Sequence, residues 1–416
     1  MRSHAGAQAK LITAQLFSGA GIASGYAVGG LLAEQISGRT AMAGFAQMSV
    51  ILGAGLLAYP LAALAGRRGR RTALTLGFGI GTAGALVVML GVALDLMPVF
   101  MLGMLMCGSS TASGLQARYA AVDLAAPGAT GRAMSLVVWA TTVGSVLGPT
   151  FTEPGARLGE ALGMHPLAGP YVISMGAFAL ASLSALSLTG EASAPATAGE
   201  GEDAARAPAQ LRLGPALRWA LARPVPLFAI ITIVAGQMMM TNVMVMTPVH
   251  MDHQHFELSA IGIVVSLHIA GMYALSPVFG WMSDRWGPAT VIASGAVVFA
   301  LTIVLGVWDA LAPQSSMGLL TIALILLGVG WSMFLIGGSS LLTASVPAEA
   351  KVPLQGASDS AMNLGGALMA AMAGTVLETG GFLWINLMAT GVLVVALVFF
   401  LRAAPHLRRS GPWARA

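Results

Sequence analysis

Gly280-Trp281-Met282-Ser283-Asp284-Arg285-Trp286-Gly287-Pro288 is a short charged turn between two long apolar runs. Those runs, at about 258–282 and 288–309, have the length of about 20 residues that a helix needs to cross a bilayer. Outward from this turn the pattern recurs. Further spans are expected at about 11–34, 41–65, 73–94, 97–120, 133–152, 169–190, 224–250, 316–345, 354–376 and 380–401, which makes twelve. Composition agrees. Only 9% of the residues are charged, 56% are hydrophobic, and 53 are glycine. A water-soluble domain carries roughly 25% charged residues, so this chain cannot coat a soluble surface. The expected fold is all-α and integral to the membrane.

Charge fixes the expected orientation. With the N-terminus placed in the cytoplasm, the outer loops hold only Arg39 and Arg157, and the other 18 of the 20 Lys and Arg fall inside. Positive-inside asymmetry of this kind sets membrane topology. It places both termini in the cytoplasm and accounts for the pI near 9.6 without any nucleic acid. No signal-peptide cleavage site precedes the first apolar run, which reads as a retained span. The longest polar interruption, 191–222, is rich in Ala, Pro, Gly and Glu and reads as a flexible cytoplasmic linker. The expected division is therefore 1–190, a first six-helix bundle, the linker, and 223–416, a second bundle. One cysteine, Cys107, excludes an internal disulfide framework. No Walker A loop is present, and the chain does not read as an enzyme.

The opening turn has an echo after span two, Ala65-Gly66-Arg67-Arg68-Gly69-Arg70-Arg71. The opening copy resembles the loop signature of the major facilitator superfamily, G-x-x-x-D-R-x-G-[RK]-[RK]. The echo is degenerate, with Ala62 and Gly66 where Gly and Asp stand in the family. Gly144-Ser-Val-Leu-Gly148-Pro149 resembles the family's bend motif. Arg118-Tyr-Ala-Ala-Val-Asp123 has a loose counterpart in Gln355-Gly-Ala-Ser-Asp359. The resemblance implies two six-helix halves, alternating access, and a substrate site near the midplane. It also implies that Asp284 caps a neighbouring helix and Arg285 bridges to it. Gly66 cannot do the same in the first half. Asp359 and Asn363, four apart on span eleven, and Glu153 at the outer end of span five are gating or coupling candidates. The alternative for Asp359 and Glu153 is a solvated boundary carboxylate.

Two patterns inside the spans carry candidate chemistry: Met240-Thr-Asn-Val-Met244 and His268-Ile-Ala-Gly-Met272. Residues four apart share a helix face. Thioethers select Cu(I), and imidazole also accepts copper. At 1.5 Å per residue, Met240 and His268 both lie roughly 15 Å below the outer end, with Met244 roughly 6 Å above and Met272 roughly 6 Å below. That spacing suits successive stations better than one four-ligand site. Met is also an apolar filler, with 25 copies in the chain. A histidine in a span is a functional candidate by default. Physics leaves metal ligation, a proton relay, an organic-substrate contact and packing all open. Gln237, three residues before Met240, is placed to line the same cavity. The stretch His250-Met251-Asp252-His253-Gln254-His255 follows span seven. His250, Met251, Asp252, His253 and His255 form a possible outer capture cluster for Cu(II) or Cu(I), or an ordinary polar loop.

The paired motifs are similar to those of the CcoA-type copper importers, superfamily members that supply copper for cytochrome c oxidase assembly in bacteria. The similarity implies import of copper, as the ion or a small chelate, across the bacterial inner membrane. Met240, Met244, His268 and Met272 would then be ligands for the cargo. Copper is substrate here, and no cofactor is expected. Periplasmic or cytoplasmic copper chaperones are possible partners, and a monomer in the lipid bilayer is expected. The same subgroup resembles riboflavin transporters. A flavin or other small organic molecule is the alternative cargo, with Tyr26, Trp139, Tyr273 and Trp331 as the aromatic residues within the spans.

Overall fold

The computed structural model describes residues 2–38, 41–125, 128–147, 151–188, 211–256 and 258–410. No strand occurs among the described residues. The helices are α1 (Arg2–Ser37), α2 (Ala41–Arg68), α3 (Arg70–Ala93), α4 (Met97–Asp123), α5 (Thr130–Leu147), α6 (Thr152–Ala161) and α7 (Gly169–Leu186). They continue as α8 (Leu213–Leu221), α9 (Pro224–His253), α10 (Leu258–Tyr273), α11 (Ser276–Trp286), α12 (Pro288–Leu311), α13 (Met317–Ser345) and α14 (Ala348–Ser410).

Ten of the described helical stretches are long and apolar enough to cross a membrane. One of them, Ala348–Leu407, has 60 residues, about 90 Å at helical rise against a core of about 30 Å. It is broken at Gly381, where φ is 68° and ψ is −172°, so it supplies the two spans expected at its ends. The expected fifth span, 133–152, overlaps the 18 residues of α5, which is not one of the ten. Gly148 and Pro149 of the bend motif lie outside the described residues. Gly144 does what the motif implies: a Cβ there would come within 2.5 Å of the Leu16 carbonyl and the Ala20 amide of α1. The expected span at 258–282 is one crossing in two pieces, α10 and α11, which meet at Ala274 and Leu275. Pro277 sits in the first turn of α11. Its ring and missing N–H cannot continue a helix from the preceding turn.

The linker reading needs correction at its end. Residues 213–221 form helix α8 rather than flexible chain. Leu213, Ala216, Leu217 and Ala220 recur at the 3.6-residue period, and Ala216 and Ala220 are buried. The Ala-, Pro- and Gly-rich part, 191–210, lies outside the described residues.

The chain divides into two compact units, with the boundary at 211/212. Unit 1 holds Met1–Ala126, Leu136–Leu211 and the short piece Gln355–Ser360, and unit 2 holds Pro127–Ser135, Arg212–Leu354 and Ala361–Ala416. Two short segments thus group with the unit opposite to their place in the sequence. In unit 1, α4 packs along α2 and α3, and α7 along α1 and α3. Phe100, Met104, Tyr171 and Phe178 fill the space between these helices. In unit 2, α13 packs against α9, α10 and α12. The internal echo is visible in the backbone. Gly69, between α2 and α3, has φ 86° and ψ 160°, and Gly287, between α11 and α12, has φ 87° and ψ 151°. Both angle pairs lie where side chains are rarely tolerated, so the shared glycine of the two loops is a shared turn.

Candidate functional site

In unit 2, Met240 and Met244 lie on α9, and His268 and Met272 lie on α10. Met240, His268 and Met272 are buried, His268 completely, and Met244 is half-buried. α9 and α10 touch each other sparingly; α13 runs along both and positions them. His268 Nδ1 lies 2.7 Å from the Leu324 carbonyl oxygen. A carbonyl oxygen only accepts, so Nδ1 carries the proton and donates it. Nε2 therefore presents a lone pair. It is buried and has no hydrogen-bond partner among the described residues. The imidazole is fixed in orientation and tautomer by the backbone of α13, as in histidines that ligate metals. The next turn of α10 is also held by α13. A Cβ on Gly328 would lie 2.5 Å from the His268 carbonyl oxygen and 2.8 Å from the Met272 amide. The bare glycine lets the two backbones meet at the His-x-x-x-Met motif.

A second cluster interleaves with these positions on the same three helices. Trp331 Nε1 donates to Gln237 Oε1 at 2.8 Å, and Gln237 Nε2 donates to Thr241 Oγ1 at 3.2 Å. Tyr273 meets the Trp331 ring edge-on, with centroids 5.6 Å apart. Gln237, expected beside Met240, is thus tied across to α13. Of the other aromatic candidates, Trp139 is exposed, and the Tyr26 side chain lies outside the described residues. The sequence reading expected their helix as the span 316–345 but gave Leu324 and Gly328 no part in the site. The available signal was the run Gly328-Val-Gly330 in the middle of the span.

The outer capture cluster is not one exposed patch. α9 continues to His253, so successive residues wind around the helix instead of fanning out from a loop. His250 and Met251 are buried. His250 Nε2 lies 3.3 Å from Asp309 Oδ2 and 3.1 Å from Ser315 Oγ, and its ring stacks on Phe382 at 4.3 Å. Asp309, itself buried, also accepts the Ser316 amide at 2.8 Å. His255 is exposed with φ 62°. The side chains of Asp252 and His253 lie outside the described residues. Among the described residues, no three of His, Cys, Asp and Glu come together in a way that could hold a metal.

The gating candidates separate. Asp284 accepts the amides of Gly131 at 2.7 Å and Arg132 at 2.9 Å, capping the start of α5. The guanidinium beside it is Arg132, 3.4 Å away. Arg285, expected to make the bridge, is exposed. It lies one residue, about 100° of helix, past the capping aspartate. Glu153 pairs with Arg157 at 2.5 Å with both side chains 76% exposed. A solvated pair four residues apart is worth little, and Glu153 is not placed as a buried gate. Asn363 is buried in unit 2. Asp359, in unit 1, is completely buried and is not a solvated boundary residue. It pairs with Arg118 and accepts from Gln116 Nε2 at 3.0 Å. Cys107 is buried, with its sulfur 3.9 Å from the Gly81 carbonyl.

Comparison with known proteins agrees with this architecture. The family model of the Major Facilitator Superfamily matches residues 228–415. The chain is 35% identical over 378 residues to the uncharacterised MFS-type transporter YddS of Bacillus subtilis, covering 89% of this chain and 85% of the relative. It is 27% identical over 388 residues to the riboflavin transporter RfnT of Brucella anthropi, covering 91% of each. The crystal structure of the human organic anion transporter MFSD10 superposes with a TM-score of 0.73 at 16% identity, over 95% of this chain and 99% of that one. This chain belongs to the major facilitator superfamily and is a multi-pass membrane protein of the secondary-transporter class.

Proposed function

We propose that the protein imports copper across the bacterial inner membrane by alternating access, as the ion or a small chelate, and supplies it for cytochrome c oxidase assembly. The single observation that carries the reading is the state of His268. Its Nδ1 proton is committed to Leu324, and its Nε2 lone pair is buried without a partner. A buried polar atom left unpaired costs about 1–3 kcal/mol, a cost that a ligand at Nε2 would offset. Met272 lies one turn along α10, and Met240 and Met244 lie one turn apart on α9. These are soft, neutral donors suited to Cu(I), which a transporter must release as well as hold. Copper chaperones on either side of the membrane are the partners this cargo implies.

A second reading, a flavin or similar organic cargo, has support of its own. The riboflavin transporter RfnT is 27% identical over nearly the whole chain, and Trp331, Tyr273 and Gln237 form an aromatic and amide cluster on the same helices. One experiment separates the two. Uptake of radioactive copper is measured in cells carrying wild type, His268→Ala or Met240→Ala, with membrane insertion checked for each. Copper import predicts at least a ~10-fold loss in His268→Ala, the equivalent of about 1.4 kcal/mol of lost interaction. Unchanged copper uptake, together with riboflavin binding that Trp331→Ala abolishes, would establish the organic cargo instead.

A further inference from the structure

We infer that a groove on the membrane face of unit 2 binds one anionic phospholipid, with an acyl chain between α12 and α14 and the phosphate on Arg223 and Arg402. The inference rests on the membrane-spanning fold and not on the identity of the cargo. The groove has a volume of about 260 Å³, and all eleven residues that line it are apolar. Its floor is buried: Phe228 of α9, Phe334 of α13, and Leu393 and Ala396 of α14. Its rim is open, with Val297 of α12 and Leu397 of α14 exposed. On α12 the lining runs from Ile292 to Ala300, eight residues or about 12 Å of helix. That is close to one leaflet, half of a core about 30 Å thick. About 260 Å³ over that length is a section of roughly 20 Å², against roughly 80 Å² for a helix about 10 Å across. A single hydrocarbon chain enters such a groove, and a helix of a second copy does not.

Charge selects the headgroup. Phe228 and Phe400 meet across the groove with ring centroids 5.4 Å apart. Arg223 lies five residues before Phe228 and Arg402 two residues after Phe400, so both guanidinium groups stand at the same end. Both are exposed. Arg223 donates to the Trp219 carbonyl at 3.1 Å and lies 4.1 Å over its indole, and Arg402 lies 5.6 Å from the Phe399 ring centre. A carbonyl and aromatic faces orient these cations without neutralising them, and no carboxylate pairs with either among the described residues. A basic pocket between transmembrane helices suits an anionic lipid headgroup. Packing supplies the rest, because an unfilled gap forfeits dispersion contacts along its whole lining, and packing is what drives association in lipid. The chain would also touch a residue that seats α13. A Cβ on Gly236 of α9 would lie 2.9 Å from Phe334 Cβ, and one on Gly295 of α12 would lie 2.9 Å from Phe334 Cδ1. The Phe334 ring is thus held between those two helices, and Phe299 meets it edge-on at 4.9 Å. The lipid would brace the helix whose Leu324 carbonyl orients His268.

The test uses the full-length protein without cargo, in nanodiscs of phosphatidylcholine doped with phosphatidylglycerol that carries a photoreactive diazirine at mid-chain. The same reactive chain on phosphatidylcholine is the neutral comparison, and labelled residues are mapped by mass spectrometry. In wild type, the phosphatidylglycerol label should concentrate in 292–300 and 393–400. It should exceed the phosphatidylcholine label there and fall when unlabelled phosphatidylglycerol is added. Arg223→Gln/Arg402→Gln changes only exposed side chains and should cut that excess by about 5-fold per arginine, the weight of one cation beside an anionic membrane surface. Ala296→Phe fills the groove and should remove the label from both segments. If that variant does not insert, Ala300→Leu at the exposed rim takes its place with the same expectation. Label spread evenly over the lipid-facing helices of both units would mean ordinary annular lipid and overturns the assignment. So does equal labelling by the two headgroups, an excess that survives in the double arginine variant, or groove segments closed to label because a second copy covers them.

Discussion

At the scale of single residues, the most informative atoms are those that a neighbour has already committed. His268 is interpretable because Leu324 takes its Nδ1 proton, and Asp359 because Arg118 and Gln116 each hold one of its oxygens. Spacing along the sequence picks out His268 and Met240, because four-residue intervals are local. It cannot supply Leu324 or the Arg118–Asp359 pair, whose partners are 56 and 241 residues apart. A charged residue within a span is nevertheless a visible flag, and Asp309, Arg118 and Asp359 all carry it. Asp284 allows a direct check of the loop signature. Asp284→Ala removes the acceptor for two amides at the start of α5 and should destabilise the protein by about 1 kcal/mol, within the usual range for losing an N-cap. Asp284→Asn, which keeps one acceptor oxygen, should lose less. Thermal unfolding in detergent measures both, and equal losses would mean that charge rather than capping matters.

At the scale of elements, the helix that organises the candidate site is α13, which carries none of the expected ligands. Its small residues let α10 approach at Gly328, and its indole at Trp331 anchors α9 through Gln237. The sequence shows α13 only as one more apolar run, since periodicity reports that a helix is buried and not which helices flank it. Gly328→Ala should force the His268 carbonyl aside, at a cost of about 1–3 kcal/mol typical of overpacking. It should also weaken copper uptake without removing any sulfur or nitrogen ligand. Uptake assays with Gly328→Ala and a control substitution at exposed Gly176 check this, and equal uptake in both would detach α13 from the site. The same limit explains α8. Composition marked 191–222 as linker, yet the apolar stripe from Leu213 to Ala220 is short and becomes decisive only when something covers it. The break between α10 and α11 was legible in Pro277, but one continuous hydropathy peak hides it.

At the scale of the molecule, charge asymmetry and the repeated glycine turn carry the architecture. Both were readable early because they depend on loop composition and not on packing. The two exchanged segments, Pro127–Ser135 and Gln355–Ser360, were not, because division by sequence order assumes that each half keeps its own residues. Orientation remains directly testable, since the lone Cys107 is buried and leaves a quiet background for labelling. Arg157→Cys should react with a membrane-impermeant maleimide in intact cells, and Arg218→Cys only after permeabilisation. The reverse pattern would invert the topology. Gly381 has a consequence for how the chain ends. The last two crossings turn about a single residue held at φ 68°, with no loop between them to absorb strain. They are joined at a kink without slack. A displacement at the foot of one arm must therefore be transmitted to the other, and a tag inserted at this turn would pry apart two helices instead of lengthening a tether.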